Sequence, residues 1–153
     1  MEEFENNNSE ELFVGHKTHK IDAKGRISIP ANMRSALGNE FIASRGIGKC
    51  LALYPMKEWA EFMNKIRKTV NQKERKQLEF FFSANAEKMS LDGQGRLLLN
   101  DDLRRQVDIL NQTQAEIFGN INRIEIWNCE LFANELNQIS EQDVENIIDK
   151  YGI

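Results

Sequence analysis

Ile21–Arg34 reads IDAKGRISIPANMR, and 70 residues later Leu91–Arg104 reads LDGQGRLLLNDDLR. Asp, Gly, Arg and the final Arg coincide as Asp22/Asp92, Gly25/Gly95, Arg26/Arg96 and Arg34/Arg104. Aliphatic residues coincide at Ile21/Leu91, Ile27/Leu97, Ile29/Leu99 and Met33/Leu103. A looser match, Leu51–Ile66 against Ile124–Ile139, is offset by 73 residues. The chain is therefore an internal duplication, with units at 13–68 and 83–140.

Each unit has the same local chemistry. His19–Asp22 and Arg26–Ile29 are expected as short strands, since Ile27 and Ile29 alternate with Arg26 and Ser28. Ala23-Lys24-Gly25 fits a three-residue hairpin loop. Gly25 and Gly95 would take the left-handed conformation, and Asp22 and Asp92 would accept hydrogen bonds from turn N–H groups. A short helix follows, with Pro30 at its first position, Gly38 past its end, and Met33 and Leu37 on its buried face. In the second copy Asn100 replaces the proline and is a good N-cap. Strands near 40–43, 50–54, 116–118 and 123–127 complete the two units.

Longer helices lie outside the sheets. Trp59, Phe62, Met63, Ile66 and Val70 recur at helical spacing after Pro55. Leu78 and Phe80–Phe82 end a helical linker over 69–82. Ser140 reads as the cap of a C-terminal helix, 141–153, striped by Val144, Ile147, Ile148 and Tyr151. These helices offer more apolar surface than one small sheet can bury, so subunit association is expected to cover the rest.

The net charge of −4 conceals a strong asymmetry. Residues 1–12 carry −5, residues 13–78 carry +9 and residues 79–153 carry −8. The basic block suits an anionic partner; alternatively, the oppositely charged halves attract one another. Residues 1–12 are expected to be a disordered acidic arm that lowers nonspecific DNA affinity. No apolar run approaches the roughly 18 residues of a membrane span. The N-terminus lacks a secretory pattern, and Cys50 and Cys129 read as reduced thiols, so a cytoplasmic protein is expected.

No enzyme or cofactor is expected. His16 and His19, three apart on a strand, point to opposite faces and cannot chelate one metal together. Neither cysteine sits in a nucleophile motif, and no phosphate-cradling Gly-rich loop is present. Trp59, Trp127 and Phe80–Phe82 read as core or interface rather than base-stacking platforms.

The run Phe13-Val14-Gly15, then Ile21–Arg26, Ile29-Pro30 and Arg34, with Leu91–Arg96 as a second copy, resembles the MraZ family of bacterial regulators of the division and cell-wall gene cluster. The resemblance covers Phe13 to about Ile148. It implies an α+β fold with a mainly β core: a pseudo-twofold, swapped-hairpin barrel of AbrB/SpoVT type, with flanking helices. It also implies a homo-oligomeric ring, octamer or dodecamer, associated with the nucleoid. Such rings bind double-stranded DNA at promoter direct repeats and usually repress their own operon. The Asp-x-x-x-Arg positions would be the DNA-contact motif. The chain departs from the pattern in its acidic arm, in Gln94 where the first copy has Lys24, and in Asn100.

On this reading Lys24 and Arg26 contact DNA, with an ion pair to the motif Asp or the neighbouring loop as the alternative for Arg26, while Lys17, Lys20 and Arg34 neutralise its backbone. Arg96 is a further contact or part of the scaffold, and Arg34 and Arg104 are open between DNA and structural salt bridges. Asp22, Asp92, Gly25 and Gly95 hold the turns. A ring without specific DNA binding, serving as a protein-interaction or structural assembly, is the rival reading.

Overall fold

The structure, a computed structural model, describes residues 12–153. The disorder expected of the acidic arm falls, Leu12 apart, outside the described residues. In chain order the strands are β1 (His16–Lys20), β2 (Arg26–Ser28), β3 (Phe41–Arg45), β4 (Leu51–Pro55), β5 (Glu87–Met89), β6 (Arg96–Leu98), β7 (Gln114–Gly119) and β8 (Ile124–Trp127). The helices are α1 (Ala31–Leu37), α2 (Met56–Thr69), α3 (Gln72–Ser83), α4 (Asp101–Gln106), α5 (Cys129–Asn137) and α6 (Glu141–Tyr151).

All strand pairings are antiparallel, and the two units exchange strands. A six-stranded sheet runs β1-β7-β8-β4-β3-β5, and a separate two-stranded ribbon joins β2 to β6. Thus β1 of the first unit lies on β7 of the second, with His16 opposite Phe118. Reciprocally, β5 lies on β3, with Met89 opposite Phe41. The expected local hairpin holds only at its tip, through the Ile21–Ile27 bridge. Above the tip its two arms diverge, and each pairs with the other unit. Among the described residues the strands do not close into one continuous ladder. β1 and β5 are sheet edges, and the ribbon is three residues long, ending just before Pro30, which has no N–H to donate.

The core is where the duplicated aliphatic positions meet. Ile27, Leu97, Ile29, Leu99, Met33, Leu103 and Leu37 are all buried in one cluster with Phe41, Ile117, Ile124 and Ile126. Phe13 joins them, held over the sheet by paired backbone hydrogen bonds with Ile121. Helix starts and stops follow the sequence closely. Pro30 is the N-cap of α1, one position earlier than expected, and Gly38 ends it with φ +87°. Asn100 caps α4 by accepting from the Leu103 N–H, and Ser140 caps α6 by accepting from Asp143.

The outer helices pack less deeply than their periodicity suggests. Only Ile66 of the α2 stripe is buried; Trp59 and Phe62 are half-buried against Tyr54, and Val70 lies past the helix end in extended backbone. α2 and α3 form an antiparallel hairpin, with Ser83 bonded to Met63 and Arg67 facing Glu79. Every residue of α6 is exposed.

Candidate nucleic-acid interface

The duplicated motif builds the same carboxylate clamp twice. Asp22 Oδ1 accepts from the backbone N–H groups of Lys24 and Arg26, both at 2.9 Å, and Oδ2 accepts from Arg26 Nε at 2.8 Å. Asp92 does the same with Gln94, Arg96 and Arg96 Nε at 2.9, 2.9 and 2.8 Å. The Arg26 backbone N–H, above all, holds the Asp22 carboxyl below its ordinary pKa, followed by the Arg26 side chain and the Lys24 N–H. For Asp92 the Arg96 N–H leads, then that of Gln94. Each aspartate is thus a charged, three-fold acceptor that shapes its turn and fixes one edge of the following guanidinium.

The glycines close the turns and stitch the units together. Gly25 and Gly95 have φ of +83° and +78°. The Gly25 carbonyl accepts from Leu99 N–H at 2.7 Å, and the Gly95 carbonyl from Ile29 N–H at 3.0 Å. Each turn therefore continues the ribbon of the opposite unit.

Arg34 and Arg104 brace these turns crosswise. Arg34 donates through Nε to the Ile29 carbonyl, and its guanidinium lies against Gly95 of the other unit. Arg104 donates to the carbonyls of Ile109 and Gln112 and passes beside Gly25. The matched arginines closing the repeat are the sequence signal for this brace, although nothing in the pattern says that each crosses to the other turn.

The ribbon brings Arg26 and Arg96 onto one surface. Ile27 is opposite Leu97 and both are fully buried, so Arg26, Ser28, Arg96 and Leu98 face outward. Arg26 is opposite Leu98 and Ser28 opposite Arg96, which makes the arginines diagonal neighbours, about 7–8 Å apart at Cα. Their side chains are equally accessible, at 28% and 25%. Leu98, 53% exposed, shares that face opposite Arg26 and had no role in the sequence reading.

Lys24 is exposed at the first turn, but it lines a crevice shared with Asp101 and Asp102 at the start of α4. The positions matching those acids in the first unit are Ala31 and Asn32. Arg104 lines the same crevice, and Asp102 is paired with Arg105 at 2.9 Å. Lys17 and Lys20 are exposed on the edge strand β1, on opposite faces.

Of the two histidines weighed for other chemistry, His19 has a buried Nε2 with no hydrogen-bond partner. His16 is bonded to the buried Glu116, which also accepts from Thr18. Cys50 and Cys129 are free thiols. Burial pushes the Cys50 thiol up, and the Glu125 carboxylate pushes it further, away from the reactive thiolate form. No group of three or more His, Cys, Asp or Glu among the described residues could hold a metal ion. No helix there is long and apolar enough to cross a membrane.

The family model described as "MraZ protein, putative antitoxin-like" matches the chain twice, over residues 12–81 and 82–150. The chain belongs to the MraZ family. A relative from Natranaerobius thermophilus is 36% identical over 140 residues, covering 91% of this chain and 96% of its own length. One from Halothermothrix orenii is 34% identical over 145 residues, 93% of this chain and all of the relative. One from Desulfitobacterium hafniense is 38% identical over 131 residues, 85% and 90% respectively. Each carries the name Transcriptional regulator MraZ, a regulator rather than an enzyme.

Proposed function

We propose that this chain is a DNA-binding transcriptional regulator, cytoplasmic and nucleoid-associated, that represses its own division and cell-wall operon. It does so as a ring of copies engaging promoter direct repeats. The observation that carries the reading is the outward face of the β2–β6 ribbon, which Arg26 and Arg96 share as diagonal neighbours. A two-stranded ribbon fits the major groove, and an arginine fork can bind guanine O6 and N7. The Asp clamp occupies Nε of each arginine, and the two terminal amino groups are further donors of the same fork. The arginine spacing of about 7–8 Å is close to two base-pair steps. The exchange of strands between units 13–68 and 83–140 supports reading them as two halves of an AbrB/SpoVT-type swapped-hairpin element.

Energetics favour several copies acting together. Two bidentate arginines contribute about 2–6 kcal/mol of discrimination. Specific and nonspecific binding usually differ by about 4–10 kcal/mol. A ring presenting the ribbon at fixed intervals to spaced repeats adds roughly 10²–10⁴-fold in avidity. Lys17, Lys20, Lys24 and Arg34 then serve as candidates for backbone neutralisation.

The test is fluorescence anisotropy with duplex from the chain's own upstream region at fixed salt. Arg26→Ala and Arg96→Ala should each weaken binding about 5- to 150-fold, from about 1–3 kcal/mol per contact. Wild-type affinity in Arg96→Ala would refute a shared ribbon face. Failure of the wild-type protein to prefer any upstream fragment over random duplex would refute the regulator reading.

A further inference from the structure

We infer that Leu98 is a specificity-determining residue of the ribbon face, reading the C5 methyl group of a thymine beside the guanine that Arg26 reads. The inference rests on the ribbon being the DNA-reading surface of the proposed function.

The face carries four outward side chains, Arg26 and Ser28 from β2 and Arg96 and Leu98 from β6. The internal duplication relates Arg26 to Arg96 and Ser28 to Leu98. The arginines are therefore equivalent in position, but their neighbours differ. Arg26 lies opposite Leu98, and Arg96 lies opposite Ser28. Backbone bonds from Leu99 to Gly25 and from Ile29 to Gly95 bound the ribbon at its two ends. Alternation along the ladder then makes both of these pairs the non-hydrogen-bonded kind, with Cα atoms about 4.5 Å apart. That separation is close to the roughly 3.4 Å rise of one base-pair step. Leu98 thus meets the base pair next to the one that Arg26 reads.

Leu98 is the one large apolar side chain exposed on a strand among the described residues. Its neighbours Leu97 and Leu99 are buried, so alternation calls for a polar residue at this position, as Ser28 supplies in the first unit. A leucine left in water there forgoes the stabilisation that burial would give. The major-groove edges of the base pairs offer donors, acceptors and a single apolar group, the thymine methyl. A ribbon seated in that groove leaves Leu98 this one base-specific partner. The Ser28 hydroxyl both donates and accepts, so it tolerates any base. One half of the face therefore requires a thymine beside its guanine and the other does not, which gives each bound site a direction. A site with a direction is the unit of a direct repeat. The crevice on the other flank of Leu98 sets Lys24 and Arg104 against Asp101 and Asp102, two charges of each sign, so no excess of acid repels DNA from that side.

The test is fluorescence anisotropy with the upstream fragment that the wild-type chain prefers, deoxyuridine replacing one thymine at a time. Uracil keeps the base pair and removes only the methyl. The synthetic strands carry no methylated cytosine, so thymine is the sole source of the group. Wild type should lose about fourfold in affinity at one thymine, next to a guanine, in each bound repeat. Leu98→Ala should bind the unmodified duplex about fourfold more weakly and be indifferent to uracil at that thymine. Ser28→Ala should keep the wild-type uracil response. Urea unfolding checks that each variant retains its fold. A role of Leu98 confined to covering the ribbon would leave the uracil response unchanged in Leu98→Ala. That result, or no response to uracil at any thymine in wild type, overturns the assignment and leaves the regulator standing. A wild-type chain that prefers no upstream fragment overturns both.

Discussion

Replacing Gly95 with alanine is expected to damage the first unit from a turn in the second. At φ +78° an added Cβ costs about 1–2 kcal/mol through backbone strain alone. That Cβ would also stand 2.2 Å from Cζ and Nε of Arg34, so the guanidinium has to leave. Arg34 would then lose its 2.8 Å bond to the Ile29 carbonyl. At a half-buried site this contributes about 0.5–1.5 kcal/mol net. The total is about 1.5–3.5 kcal/mol. For a chain of this size each kcal/mol lowers Tm by about 2–4 °C, so a drop of roughly 3–14 °C follows. Urea unfolding at one protein concentration, in a double-mutant cycle with Arg34→Ala, isolates the cause. With Arg34 truncated, Gly95→Ala should cost only the strain, which leaves a coupling of about 0.5–1.5 kcal/mol. Additive losses would refute the crosswise brace.

Two further outcomes follow from the buried and clamped carboxylates. Glu125 accepts from Trp127, Arg123 and Asn120, so Glu125→Ala should cost about 2–3 kcal/mol, between the values for buried and exposed pairs; a loss below about 0.5 kcal/mol in urea unfolding would show that the network is dispensable. Asp22 and Asp92 titrate below their ordinary value when folded, so the clamps are fully formed above about pH 4 and weaken as the pH falls through the lowered folded value. Carbon-13 shifts of the two carboxyl groups should show midpoints below that of a free aspartate, and midpoints at or above it would remove the clamp.

Local chemistry in this chain was legible because its causes are local. An aspartate three residues before a glycine and four before an arginine defines a turn through its own hydrogen bonds. Asn100 and Ser140 cap helices through the next few N–H groups. Strand exchange was implied only by the family resemblance, because alternation at Ile27 and Ile29 says which face is buried but not which strand lies alongside. Hence the expected hairpin opens, and Arg26 meets Arg96 rather than occupying a separate loop. The crosswise placement of Arg34 and Arg104 was hidden for the same reason.

Strand exchange also sets an order of events during synthesis. β1 and β3 belong to the first half, yet each has an edge that waits for β7 or β5. His16 meets its partner Phe118 roughly a hundred residues later. At ~5–20 residues per second, the stretch from β3 to the end of β7 takes about 4–15 s to emerge from a ribosome. Through that interval the nascent first half carries strand edges with no partner, a state open to chaperones and to pairing with neighbouring nascent chains. The interlock that places two arginines on one face therefore has its native strand partners complete only once the second half has been made.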